Sequence, residues 1–163
     1  MAQLTQLESK LAEVMGLAQA AQKATAKVRK LVEDQEVAET LERMREEAAE
    51  TEQRCARLAD ELDGKKTAVS KKAKETRSEA EQMMKTYLSS DADALDGLEF
   101  LIMAEAGELG HVEIVQTLNK SAKNAQVREL IKWVQPIQKR HVQQTRQAAL
   151  KLAAAEDPNE PAE

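Results

Sequence analysis

The apolar residues of this chain recur at gaps of three and four over four long segments, and this spacing restricts the fold to packed helices. The first two segments cover about residues 2–32 and 37–62, and the other two cover about residues 92–118 and 122–154. Gaps of three and four place side chains on one face of an α-helix, whereas strands alternate every second residue. The sequence therefore predicts an all-α protein in which each helix buries one face.

Turn and capping residues separate the four stripes. Asp34 can cap the second helix, Gly64 suits a helix end, and "SSDAD" (89–93) can cap the third long helix. Such frequent breaks favour an antiparallel four-helix bundle over one long coiled coil. The less apolar segment 65–90 predicts an extra short helix between the second and third long helices. We expect one helical-bundle domain over residues 1–155, followed by a disordered acidic tail at 156–163.

Composition agrees with a helical protein and excludes several functional classes. The chain of 163 residues is 42% hydrophobic and only 2% aromatic, which is poor for strands. Its net charge of −5 argues against general nucleic-acid binding, and no stretch approaches the roughly 18 apolar residues of a membrane helix. The lone cysteine, Cys55, cannot form an internal disulfide and fits a reducing compartment. We expect a soluble, cytoplasmic protein with neither nucleic acid nor membrane as a partner.

One carboxylate lies where an apolar residue is expected. In the third long helix, Glu105 fills the gap in the apolar stripe between Ile102 and Leu109. Glu108 lies one step to the side, and His111 lies at the edge of the same face. A charge in a core must be neutralised, paired or bound to a metal.

The last helix places a histidine at the centre of its own apolar face. This residue, His141, is one of only two histidines in the chain and follows Gln138 by three positions. Di-metal sites in four-helix bundles use Glu-x-x-His units on two helices, with a Glu from each of the others. Glu108 and His111 form one such unit, while Gln138 stands where the second unit would have Glu. The predicted metal ligands, a set that suits one metal better than two, are Glu47, Glu105, Glu108, His111 and His141.

The same residues allow a purely structural interpretation. Glu105 can pair with Arg29 on the first helix or with a protonated His141, which would form an internal salt-bridge network. Met83, Met84 and Tyr87 can pack the connecting helix against the bundle or against a second subunit. These alternatives require no metal.

Three segments resemble the bacterial stress-induced ferritin-like proteins, which are often described only as a domain of unknown function. They are "REEAAETEQRCARLADELDG" (45–64), "DADALDGLEFLIMAEAGELGHVEIVQTL" (91–118) and "VRELIKWVQPIQKRH" (127–141). The resemblance implies a ferritin-like bundle with a fifth helix, a homodimer, and a carboxylate-rich centre that binds iron or manganese. His111 and Glu113 match the family pattern.

The chain departs from that pattern at four positions. Gly110 stands where a Glu often precedes the His, and Thr51 or Arg54 stands where a His is common. Gln138 and His141 occupy the place of an acidic pair. We therefore hold two functional hypotheses and leave open whether the protein is an enzyme. One is a metal-binding protein of stress response with oxidase or peroxide-handling activity. The other is a non-enzymatic dimerisation or partner-binding module that has lost its metal.

Overall fold

The computed structural model describes residues 2–161, and within them the chain forms helices and no strands. The helices are α1 (Gln6–Arg29), α2 (Gln35–Asp60), α3 (Lys66–Tyr87), α4 (Ala94–Ala122) and α5 (Ala125–Ala153). The prediction of an all-α protein is confirmed. None of the helices among residues 2–161 is long and apolar enough to cross a membrane.

Polar side chains fix where the long helices begin. The Thr5 hydroxyl and the Asp93 carboxylate each accept a hydrogen bond from the backbone amide three residues on. In return, the carboxylates of Glu8 and Asp96 accept from the backbone amides of Thr5 and Asp93. The predicted cap Asp34 accepts from the amide of Val37. These bonds satisfy amide groups that have no partner inside a helix.

Four helices form a bundle in which every neighbouring pair is antiparallel. Helix α1 packs against α2 and α4, and α5 completes the square by packing against both of these. One apolar cluster joins the end of α1 to the starts of α2 and α4, with Val28, Leu41 and Leu98 among its members. The other joins the start of α1 to the ends of α2 and α4, and includes Leu11 and Val115. Because neighbouring helices run in opposite directions, each end of the bundle contains the N-termini of two helices and the C-termini of the other two.

Helix α3 carries the chain from one end of the bundle to the other. With 22 residues it is nearly as long as α1, which has 24, so the expected short helix is in fact long. It packs mainly against the outer side of α1, where Gly16 lets the two backbones approach. A Cβ atom at Gly16 would lie 2.3 Å from the Ala73 carbonyl oxygen. Ion pairs of Lys65 with Glu8 and of Lys23 with Glu81, both at 2.8 Å, hold α3 in place.

A polar layer separates the two apolar clusters. It lies halfway along the bundle, at Glu47 of α2, Glu105 of α4, and Gln138 and His141 of α5. Helix α1 contributes mainly alanines at this level, so it supplies no carboxylate. Beyond α5, residues 156–161 are exposed and non-helical, while residues 162 and 163 of the predicted tail lie outside the described residues.

Candidate functional site

The centre of the polar layer is an imidazole ring between two carboxylates. His141 and Glu105 are 3% and 1% exposed, as their positions on the apolar stripes predict. The Nδ1 atom of His141 lies 3.2 Å from Glu105 Oε2, and its Nε2 atom lies 2.5 Å from Glu47 Oε2. Both ring nitrogens are therefore within hydrogen-bonding distance of a carboxylate, one from α4 and one from α2.

Two further side chains complete this network. The amide nitrogen of Gln138 donates to Glu105 Oε2 at 2.5 Å and approaches the Glu105 carbonyl oxygen at 3.3 Å. The Arg140 guanidinium forms an ion pair with Glu47 at the rim of the layer. Arg29, the other partner that the sequence allowed for Glu105, makes no contact with it. The sequence analysis did not include Arg140 among the site residues. Its position next to His141 is the one signal that would have placed it near the layer.

The two carboxylates hold His141 in its charged form. Burial alone would lower the pKa of His141, but the hydrogen bond and charge of Glu105, followed by those of Glu47, outweigh burial and raise it. A protonated imidazole donates from both nitrogens, whereas a neutral one can donate only once. The network thus joins two basic side chains, His141 and Arg140, to two acidic ones, Glu47 and Glu105.

Both ring nitrogens of His141 are engaged by carboxylates in this arrangement. A metal would need one of these nitrogens as a donor at about 2 Å. Across residues 2–161, no group of three or more His, Cys, Asp or Glu side chains is placed to hold a metal ion. Of the five predicted ligands, Glu47, Glu105 and His141 come together, with His141 hydrogen-bonded to each of the two carboxylates.

The other two predicted ligands line a separate cavity. It has a volume of about 230 Å³ and lies between α1, α3 and α4; we call it the α1–α3–α4 cavity. Alanines of α1, methionines of α3 and α4, and Phe100 form its apolar walls. Glu108 and His111 lie toward one end, and Glu105 contributes to the same wall. Because α1 has only alanine at 20, 21 and 24, its side chains leave this volume unfilled.

Glu108 is a half-buried acid without a hydrogen-bond donor or a cation beside it in the described part of the chain. Burial, and then the nearby charge of Glu105, raise the pKa of Glu108 well above its usual range. Among residues 2–161, no donor contributes to lowering that pKa. The protein environment therefore favours the uncharged form of this carboxyl group.

His111 is directed toward α1 rather than toward Glu108. Its Nδ1 atom lies 2.9 Å from the Gly107 carbonyl oxygen, and its Nε2 atom lies 3.5 Å from Glu13 Oε2. Glu13 also pairs with Lys10 and with Lys72 of α3. The helical pattern of α1 placed Glu13 outward, and it gave no sign that α3 would cover that side.

Cys55 is an inert thiol inside the apolar cluster that includes Leu11 and Val115. It is buried, and burial together with the charge of Glu52 raises its pKa to about 12. The thiolate, which is the reactive form, is therefore absent near neutral pH.

Comparison with protein-family models, with curated proteins and with solved structures gave no match to this chain. The functional interpretation consequently depends on the geometry of the chain itself.

Proposed function

We propose that this chain is a non-enzymatic helical bundle that pairs with a second copy of itself through the exposed face of α4. The observation that carries the proposal is a stripe made of Met103, Gly107, Gly110 and Ile114, of which all but the half-buried Gly110 are exposed. These positions fall within about 60° of one another around a helix that turns about 100° per residue. We call them the α4 stripe.

The α4 stripe combines two features that its own fold does not explain. Met103 and Ile114 are 46% and 44% exposed. A Cβ atom at Gly107 or Gly110 would meet nothing within 4 Å. Each mid-helix glycine costs about 0.5–1 kcal/mol relative to alanine, yet no neighbour in the same chain needs the space. Close approach by another helix would use it.

The stripe is also self-complementary. In an antiparallel pairing about a twofold axis between positions 108 and 109, Met103 of each copy faces Ile114 of the other, and the glycines face each other. A twofold interface requires such a self-matching surface. Met83 and Tyr87 on the adjacent α3, each 54% exposed, extend the apolar surface beside the stripe.

The central network supports a structural role for the buried charges. Every acidic group in the network pairs with a basic one, although Arg140 Nε has no partner among the described residues. The layer can therefore fix the relative position of α2, α4 and α5 without catalysing a reaction. A slip of α5 by one turn would leave Glu105 buried and unpaired, which is strongly unfavourable.

Sedimentation velocity over a range of protein concentrations tests the pairing. We expect a dimer whose dissociation is promoted by Ile114→Glu, because the new charge would be buried against its twofold partner. Leu150→Glu is the matched control, since Leu150 is also apolar and is 61% exposed, but lies on α5. A monomeric wild type, or equal weakening by both variants, would refute the proposal.

A ferritin-like protein that binds iron or manganese, with oxidase or peroxide-handling activity, is the second candidate. It is favoured by the presence of Glu105, Glu108 and His111 on the wall of one cavity, and by the antiparallel bundle with a crossing helix. To bind there, a metal would have to draw Glu105 away from Gln138 and His141.

Metal content after anaerobic loading with Fe(II) or Mn(II), measured by mass spectrometry, tests this candidate. The control is the double variant Glu105→Gln/His141→Gln. Tight metal in the wild type that is lost in the double variant would favour the ferritin-like function. Wild type without metal would exclude it.

A further inference from the structure

The α1–α3–α4 cavity has a composition that no packing role accounts for. One end is apolar, with Met84 and Phe100, and the other holds the carboxyl group of Glu108. Eight residues of α4 separate Phe100 from Glu108, a length of roughly 12 Å along the helix axis. The cavity is therefore elongated and chemically different at its two ends.

Glu108 is half-buried on the wall of the cavity and has no partner in the part of the protein that the structure describes. Within residues 2–161 it forms no ion pair, and the neighbouring Glu105 already has Gln138 and His141 as partners. A carboxyl group that is partly withdrawn from water without a donor is destabilised, and a cation brought to it would offset that cost. An anion at the same place would meet the charge of Glu105 and the acidic group of Glu108.

We infer that the α1–α3–α4 cavity binds a small hydrophobic amine in its ammonium form. The apolar body would lie among Met83, Met84 and Phe100, and the ammonium group would pair with Glu108. Methionine side chains adapt to varied apolar shapes, which suits the body of such a ligand. The inference does not depend on pairing, although Met103 and Gly107 of the α4 stripe also line this cavity.

The volume limits the size of the ligand. At about 230 Å³, the cavity is smaller than the roughly 300–1,000 Å³ of sites for drug-sized molecules. A single aromatic ring or a short alkyl chain with one amine is the appropriate scale. Long-chain amines and polyamines would extend beyond the walls or carry unpaired charges into them.

Three probes with the same phenylalkyl body separate the possible causes of binding. Phenethylamine carries a cation, phenethyl alcohol is neutral, and hydrocinnamate carries an anion. We expect calorimetry on the full chain to give phenethylamine at least about tenfold tighter binding than phenethyl alcohol, with hydrocinnamate weakest. Wild type alone provides this comparison.

Two variants assign the binding to the cavity. Glu108→Gln keeps the shape and removes the acidic group that can become charged beside an ammonium, so it should abolish the preference for the amine and leave the alcohol nearly unaffected. Ala20→Leu should fill the cavity and weaken both, with circular dichroism verifying the fold of each variant. Equal binding of amine and alcohol, tighter binding of hydrocinnamate, an unchanged preference in Glu108→Gln, or no binding to wild type would overturn the inference.

Discussion

At the scale of single residues, His141 is the most constrained side chain. It lies between Glu105 and Glu47, at distances of 3.2 and 2.5 Å from its two ring nitrogens. The sequence predicted that Glu105 and His141 both face inward. It could not predict which partner each would take, because that depends on how far α5 is shifted along α4. A periodic pattern within one helix carries no information on that shift.

The raised pKa of His141 makes stability depend on pH in a definite direction. The folded state holds the proton more tightly than the unfolded chain, whose histidine pKa is about 6.5. The stabilisation is therefore complete below about pH 6.5 and is lost as pH rises through the higher pKa of the folded state. We predict that the melting temperature of wild type falls as pH is raised from neutral to mildly alkaline.

Two single variants test this dependence. His141→Gln should be less stable than wild type near pH 6 and should lose this decline with pH. His111→Gln is the control, since His111 is the other histidine and lies at the edge of the bundle with 35% of its side chain exposed. A decline that persists in His141→Gln but vanishes in His111→Gln would contradict the assignment.

The Glu108 carboxyl group should lower the stability of the folded state near neutral pH. Its pKa is raised in the folded state, so folding is penalised once pH exceeds the unfolded value of about 4.3. We predict that Glu108→Gln raises the melting temperature near pH 7, by about 2–4 °C for each kcal/mol recovered in a chain of this size. The gain should shrink toward pH 4. Glu113→Gln, an exposed change one helical turn away, should give no comparable gain in thermal melts.

At the scale of helices, the five elements could be predicted more closely than their contacts. The apolar stripes, Asp34 and the "SSDAD" segment placed the helices well. The role of α3 was harder to recognise, because its inner face is made of small residues such as Ala68 and Ala73 rather than large apolar ones. For the same reason, the ion pair between Glu13 and Lys72 of α3 could not be predicted.

Gly16 of α1 and Gly110 of α4 allow the same substitution, glycine to alanine, to be compared at a packed and at an open position. At Gly16 an added Cβ would collide with the backbone of α3, at 2.3 Å from the Ala73 carbonyl oxygen. We predict that Gly16→Ala destabilises the protein by about 1–3 kcal/mol. Gly110→Ala meets open space and should stabilise the isolated chain by about 0.5–1 kcal/mol. Urea unfolding at low protein concentration measures both, and similar effects at the two sites would contradict the α1–α3 contact.

At the scale of the whole molecule, four helices share a continuous buried core, whereas the outer helix α3 buries only part of its length. The apolar clusters and the polar layer join α1, α2, α4 and α5 along their length. In α3 all of the buried residues lie between Ala68 and Thr76, and none lies from 77 to 87. The end of α3 that lines the α1–α3–α4 cavity is thus the part with the least burial.

Hydrogen exchange should follow this difference in burial. Local opening requires little free energy where few apolar contacts are broken. We predict that backbone amides of residues 77–87 exchange faster than those in the middle of α1 and α4. Exchange followed by mass spectrometry measures this, and adding phenethylamine should slow exchange in the same segment if the amine binds there. Uniform protection across α3 would contradict the prediction.

A single base change would alter the charge balance of the polar layer. Codons for glutamine and glutamate differ only at their first base, so a single nucleotide change separates Gln138 from an acidic side chain. That change would turn the amide donor beside Glu105 into a second carboxylate, and both α4 and α5 would then carry Glu-x-x-His. A layer that now neutralises itself would acquire excess negative charge that a divalent cation could balance. In mutational terms, the present layer is one base change away from a layer with one more carboxylate than it can pair.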